Sequence, residues 1–588
     1  MSRVPRLRAA SLAAALVAAS ALGVPALARA QAAADAVPAP AAPLPLKHAP
    51  QPTTGDITAA DLMTRLYIFA DDSMMGREAG TLGNVKGTNY IAGEVRRLGL
   101  KPAGEDGTYF QTLPFKTRAL DPASSIVIGG TGTPARLVAG TDWAFAGTKS
   151  VSVHDLPVVY GGTLGDTASM INADQTAGKM LVFGVSNFRN PALRRGFGEL
   201  YPKAAAVAVY GLDQYIPRFA RPQQFVDDPS KAAPAQNGPT TVLITAAAAG
   251  QLFASPMAGL APGAPGRPVT LEVKLNITPV AYPARNVVAI LPGRDPALAG
   301  EYVAIGGHND HIGTNTRPVD HDSIRIYNHL VRPGGAEDAQ RQATPEQQAQ
   351  VDQMLAAWRK AHPNSMRADS ISNGADDDGS GSVSVLEVAE KFASLKGNAR
   401  PRRSILFVWH VGEEKGLLGS EYFTDHPTVP RDSIVAQLNM DMVGRGAPSD
   451  VTGIAADGRV LHGGPDYLQL VGSRRLSTEL GNLVETVNKD GKYGFQFDYS
   501  MDANGHPMNI YCRSDHYEYA RYGIPIVFFT TGGHSDYHQV TDEPEYIDYD
   551  HMARVDNLVY DVAQHVANLD HRVVVDQPKP DPHGACRQ

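Results

Sequence analysis

The sequence predicts a layered α/β protein: a mixed, mostly parallel central sheet flanked by helices, interrupted by a β-rich module. Three observations carry this. Apolar runs of strand length (ARNVVAILPG, EYVAIGGH, RRSILFVW, SIVAQLNM, GIPIVFFT) recur from Ala284 onward. Helical patterns stand between them, such as GSGSVSVLEVAEKFASL, with apolar Val383, Leu386, Val388, Ala389 and Phe392 on one face. Strands alternating with helices imply a layered sheet. Between roughly Leu120 and Val280 the texture changes to short β-like runs (LPVVYGG, GKMLVFGV, AAVAVYG, TTVLITA) separated by Gly, Pro and Ala.

In chain order, residues 1–30 read as a secretory signal peptide. Arg3, Arg6 and Arg8 precede an alanine-rich apolar stretch, and Ala28-Arg29-Ala30 forms a cleavage triplet before Gln31. Residues 31–56 are a Pro/Ala-rich spacer expected to be disordered. Residues 57–118 and 284–575 are expected to form the main α/β domain. Its first part holds two helix candidates, AADLMTRLYIFAD and NVKGTNYIAGEVRRLGL. Residues 119–283 are the β-rich domain. Residues 314–372 are a polar insertion carrying the helical stretch TPEQQAQVDQMLAAWRKA; it either walls the pocket or decorates the surface. ARNVVAILPG and EYVAIGGH are expected to pair as a hairpin.

Charge and cysteine content narrow the function. Removing the leader's four arginines takes the formal charge from -8 to -12. That argues against nucleic acid or anionic membranes as partners. No later apolar run is long enough to span a bilayer, so an exported protein, periplasmic or extracellular and without a membrane anchor, is expected. Cys512 and Cys586 are the only cysteines, which excludes a disulfide framework. Cys586 lies in a polar tail, which disfavours a bridge between them.

Five polar segments carry the chemistry, four of them after buried strands. GGHNDHIG holds His308, Asp310 and His311. NGADDDGSG holds Asp376, Asp377 and Asp378 before a helix. GEE holds Glu413 and Glu414, NMDMVGR holds Asp441, and TGGHSDYH holds His534, Asp536 and His538. Singly, each has an ordinary explanation: a strand-end turn residue, a helix N-cap, solvated surface. Jointly, His and carboxylate groups at strand ends suit a borderline ion such as zinc, and the set suffices for two. Tandem acids at a buried strand end also cost solvation energy unless a cation is near.

These five segments, in this order, resemble those of the two-zinc exopeptidase family that includes bacterial leucine aminopeptidases, glutamate carboxypeptidase and the non-catalytic transferrin receptor. The resemblance runs from about Leu62 through Asp570 and includes GRxxGTxGN at Gly76–Asn84 and GLKPAGEDGTYFQ at Gly99–Gln111. It implies a zinc-exopeptidase-like fold with an inserted protease-associated domain at 119–283, two Zn2+ ions per chain and peptide substrates; a homodimer is left open. It implies metal ligands His308, Asp376 (bridging both ions), Glu414, Asp441 and His538, with Asp310 orienting the His308 ring. Glu413 resembles the general base and Tyr537 a group hydrogen-bonding the tetrahedral intermediate. The family's cis peptide would fall at Asp376–Asp377. Aminopeptidase activity is the leading expectation. A carboxypeptidase or dipeptidase, a glutaminyl-cyclase-like acyltransferase and a receptor-like binding protein are the alternatives. The 68-residue gap between His308 and Asp376 is longer than in minimal members. His410, Arg445 and Arg513 are read as packed or salt-bridged, and Ser514-Asp515-His516 matches a recurring family segment without a ligand role.

Overall fold

The computed structural model describes residues 44–588 except 132, 186–192, 194–195, 232–237, 254–255, 339–340 and 364–366. The leader and spacer residues 31–43 lie outside the described residues.

A nine-stranded mixed sheet forms the core of the main domain. Seven of its strands are β1 (Arg285–Leu291), β2 (Tyr302–His308), β3 (Ser404–His410), β4 (Ile434–Met440), β5 (Tyr467–Val471), β6 (Gln496–Asp498) and β7 (Ile526–Thr530). Their spatial order is β1-β3-β2-β4-β7-β5-β6, and two short strands near residues 101 and 111 pair with β1. The four central strands β3, β2, β4 and β7 run parallel. Antiparallel pairing begins at β1 and β5. The expected hairpin of β1 with β2 does not form, because β3 lies between them. Residues 292–301 carry Pro292, Gly293 and Pro296 in place of a tight two-residue turn, so the chain steps over one strand position.

The helices include α1 (Ala59–Phe69), α2 (Leu82–Arg97), α3 (His321–Val331), α4 (Pro345–Ala361), α5 (Gly381–Ser394), α6 (Leu418–Asp425), α7 (Thr478–Asp490) and α8 (Tyr549–Asn568). Helix α5 is buried on nearly every side. It packs between the sheet, α1 and α8 in the main core. Buried Arg65 of α1 ties this layer together. It pairs with Glu387 at 2.7 Å, with Glu390 of α5, and with Glu94 of α2 at 2.7 Å. A second apolar layer, with Phe423 and Tyr519, covers the opposite face.

Two expectations are corrected here. The described part of the spacer, 44–56, is tied to the core: the Leu44 amide donates to the Glu545 carbonyl (2.9 Å), Thr53 to Glu390 (2.7 Å) and the Thr54 amide to Asp61 (3.0 Å). Its Thr and Asp residues supply side-chain partners that a Pro/Ala composition alone does not suggest. Cys512 and Cys586 form a disulfide. The polar tail is held in place because Gln588 hydrogen-bonds residues near Cys512.

The β-rich region has its own sheets and core. Strands at 143–145, 240–244, 206–210, 180–184 and 158–163 form a five-stranded sheet, and strands at 135–137, 125–128, 269–273 and 151–156 a four-stranded one. The strands at 115–120 and 275–279 that lead in and out pair antiparallel. The insertion is ordered too: its end strands at 314–320 and 368–371 pair antiparallel and enclose α3 and α4. Among the described residues, no helix is long and apolar enough to cross a membrane.

Candidate active site

Parallel strands deliver polar side chains to one sheet edge. His308 ends β2, Asp441 follows β4, and His534–His538 lie beyond β7. After β3 the chain turns at Gly412, whose φ of +75° is a left-handed conformation that favours glycine. Glu413 and Glu414 follow immediately. This carboxyl edge is where open α/β sheets gather ligands.

The side chains meet in two groups that share one carboxylate, Asp377. His308, Asp377 and Asp441 form one group; His311, Asp377, Glu414 and His538 form the other. His308 Nε2 lies 3.1 Å from Asp377 Oδ1 and 3.8 Å from Asp441 Oδ1. On the other side, His538 Nε2 is 2.9 Å from Asp377 Oδ2 and 3.0 Å from Glu414 Oε2. His311 Nδ1 is 2.8 Å from Glu414 Oε1.

The expectation for Asp376 is therefore corrected: Asp377, one residue later, occupies the shared position. The three consecutive aspartates face three ways. Asp376 accepts from the Gly444 amide (2.7 Å) and lies 3.2 Å from His534 Nε2, away from both groups. Asp377 points into them. Asp378 braces the floor, accepting from the His308 amide (2.9 Å) and the Gly381 amide (2.8 Å). The cis peptide likewise falls one residue later, at Asp377–Asp378. Asp542 receives the backbone amides of Asp376 (3.0 Å) and Asp377 (3.1 Å), fixing the turn.

Supporting contacts are dense. His308 Nδ1 is 3.0 Å from the Asp310 backbone carbonyl and 3.7 Å from its carboxylate. The Asp310 carboxylate instead accepts the Gly412 (2.7 Å) and Glu413 (3.2 Å) amides, so it fixes the glutamate turn as well as neighbouring the ring. Ser514 donates to Asp441 Oδ2 at 2.6 Å. His410 is fully buried, 3.0 Å from the Tyr519 hydroxyl and 3.4 Å from Asp515. Arg445 pairs with Asp536 (3.0 Å) and Arg513 with Glu337 of the insertion.

The electrostatics describe a site built for cations. Burial would raise the Asp377 carboxyl, yet His308 and His538 hold it well below the usual range. Glu414, also buried, is drawn down to about 2 by His538 and His311. Burial would lower His308, but Asp310 and Asp377 raise it well above the imidazole range; Glu414 and Asp377 do the same for His538. Glu413 differs from its neighbour: burial, Asp441 and Glu414 push its carboxyl well up. That suits a proton carrier.

The donor set fits two divalent ions. His308 Nε2, both His311 nitrogens, Asp377 Oδ2 and Glu414 Oε1 are buried and, although several lie within about 3 Å of one another, none meets a partner in hydrogen-bonding geometry. Buried polar atoms of this kind are rare without a ligand, and mixed imidazole and carboxylate donors suit zinc. His311 carried no assigned role in the sequence reading. Its place three residues after His308, at the end of the same buried strand, was the available signal.

Beside these groups opens a cavity lined by Glu413, Asp441, Tyr537 and Arg513, with Gly334, Glu337 and Asp338 of the insertion on one side. The insertion thus contributes wall to the pocket. The apolar lining comes from Ile454, Met501, Met508, Ile510 and Phe528. The Tyr537 ring stacks on His538 at 4.0 Å between centroids.

Residues 286–563 match the model of Peptidase family M28. Leupeptin-inactivating enzyme 1 of Streptomyces exfoliatus is 36% identical over 103 residues, covering 16% of this chain and 23% of that protein. Leucine aminopeptidase 1 of Paracoccidioides brasiliensis (strain Pb18) is 32% identical over 203 residues, covering 32% of this chain and 46% of that protein. The chain thus spans less than half the length of these curated relatives. Among solved structures, the aminopeptidase from Aneurinibacillus sp. strain AM-1 aligns over 89% of this chain and 97% of its own, at 17% identity and a TM-score of 0.49.

Proposed function

With a peptidase family M28 domain at residues 286–563 as the premise, we propose that the chain is an exported two-zinc exopeptidase, foremost an aminopeptidase acting on peptides. The observation that carries this reading is Asp377, shared between two groups of buried histidines and carboxylates, several of whose nitrogens and oxygens converge without hydrogen-bonding geometry. His308, Asp377 and Asp441 would hold one ion. Asp377, Glu414, His538 and His311 would hold the other. When bound, the zinc ions supply Lewis-acid polarisation of the scissile carbonyl and lower the pKa of the attacking water.

The chain's own residues do the rest. Glu413, its carboxyl raised by burial, takes a proton from the attacking water and returns it to the leaving amine. Tyr537, on the cavity wall, donates a hydrogen bond from its hydroxyl to the carbonyl oxygen as charge develops there and keeps its proton. The apolar lining receives the substrate side chain.

The test is release of free amino acid from unblocked and N-acetylated peptides, with and without chelator. Cleavage of unblocked peptides alone, lost under chelation, is the expected result. Turnover of N-acetylated peptides would move the assignment to a carboxypeptidase, and no turnover of either set would reject the exopeptidase reading.

A further inference from the structure

Three of the apolar side chains lining the cavity, Met501, Met508 and Ile510, come from a loop that contributes little to the main core. They pack in a small cluster with Ala455 and Leu461, and Ile510 also touches the second apolar layer. Short turns, with no long helix or strand, carry the chain from Ser500 to Arg513. A wall of this kind opens easily unless something fixes it.

One residue far along the chain does so. The Gln588 side-chain amide donates to the carbonyls of Met501 (2.5 Å) and Ala503 (3.2 Å), and its Oε1 accepts the Tyr511 amide (3.0 Å). Its backbone accepts the Gly505 amide (2.8 Å) and donates to Asn509 Oδ1 (3.2 Å). Five hydrogen bonds from a single residue thus span residues 501 to 511. Two positions before it, Cys586 is joined to Cys512, next to Ile510 and Arg513 in the cavity wall. The stitched loop sets where Met501 presses: a Cβ on Gly453 would lie 2.7 Å from the Met501 sulfur.

We propose that Gln588, with the Cys512–Cys586 bridge behind it, is a specificity-determining positioning residue. It holds Met501, Met508 and Ile510 at the depth that favours a bulky apolar substrate side chain over a small one. Gln588 lines neither metal-type group and acts only through the loop. The substrate half of this inference rests on the exopeptidase reading; the loop half does not.

Two variants test it, Gln588→Ala and the double variant Cys512→Ser/Cys586→Ser, each in the full chain. The first readout is kcat and KM on unblocked leucine and alanine anilides. Loss of packing against one side chain is worth roughly tenfold or more in discrimination. The expected result is a fall of about tenfold in the leucine-to-alanine ratio of kcat/KM, carried mainly by a higher KM for leucine. The second readout is amide exchange across 501–511, where the Tyr511 amide should lose protection in Gln588→Ala. A ratio within about twofold of wild type, or leucine and alanine falling in parallel, would overturn the specificity role. Unchanged exchange at Tyr511 would overturn the positioning role. If the wild-type protein cleaves neither anilide, the exopeptidase reading fails on its own and the exchange measurement still decides the loop claim.

Discussion

The metal-type groups and the cavity beside them are built differently. The first hang from the carboxyl ends of four parallel, buried strands and from the turn before α5 that carries Asp377, with His308 and Asp441 held by further contacts to the Asp310 carbonyl and Ser514. The second draws Phe528, Thr530 and Gln469 from β7 and β5, but much of its wall comes from the segments after β4 and β7, the loop at 500–513 and the tip of the insertion. On the proposed reading, chemistry rests on the sheet and the turn that carries Asp377, where close packing tolerates little change. On the same reading, much of the selectivity rests on loops, which a chain can alter with less disturbance to the core. Variants on the two sides should therefore fail in different ways.

The largest expected effect is on the rigid side. Glu413→Gln should keep its metal content and lose about 10²–10⁴-fold in kcat. Kinetics paired with metal analysis checks this, and loss of metal in this variant would make Glu413 a ligand rather than a proton carrier. Ser514→Ala removes the 2.6 Å bond that orients Asp441. It should weaken metal affinity by roughly 10–100-fold, read by competition with a chromogenic chelator.

Acidification should mimic these losses. Neighbouring carboxylates raise His308 and His538 above the ordinary imidazole range in the ion-free site. Protons therefore compete for the ligand nitrogens from above about pH 6.5 downward. Apparent metal affinity should fall steadily as pH drops through that region, and a flat profile between pH 8 and pH 6 would contradict the ligand assignment.

The smallest effect belongs to Asp376→Asn. That side chain accepts a backbone amide and faces His534. The variant should cost about 1–3 kcal/mol of stability in denaturant titration and leave metal stoichiometry intact.

Much of this was legible in the sequence. Buried strand runs and the helix at α5 are encoded by apolar periodicity, so their positions read directly. His308, Glu414, Asp441 and His538 each follow a readable strand, and the structure brings them together around one carboxylate. The register within Asp376-Asp377-Asp378 was not legible. Successive side chains in such a turn point different ways, and three identical residues leave no compositional mark of which one faces inward. The strand order was equally hidden, since β3, more than a hundred residues later in the chain, inserts between β1 and β2. His311 and the tethering of the spacer and tail depend on contacts between distant segments, which no local pattern encodes.

The central claim is that Asp377 alone is shared by two ion positions. Calorimetric titration of zinc into chelator-stripped wild type, Asp377→Asn and Asp376→Asn tests it most directly. The account predicts two equivalents for wild type and for Asp376→Asn, with binding at both positions impaired in Asp377→Asn. Two tight equivalents retained by Asp377→Asn, or lost by Asp376→Asn, would contradict it.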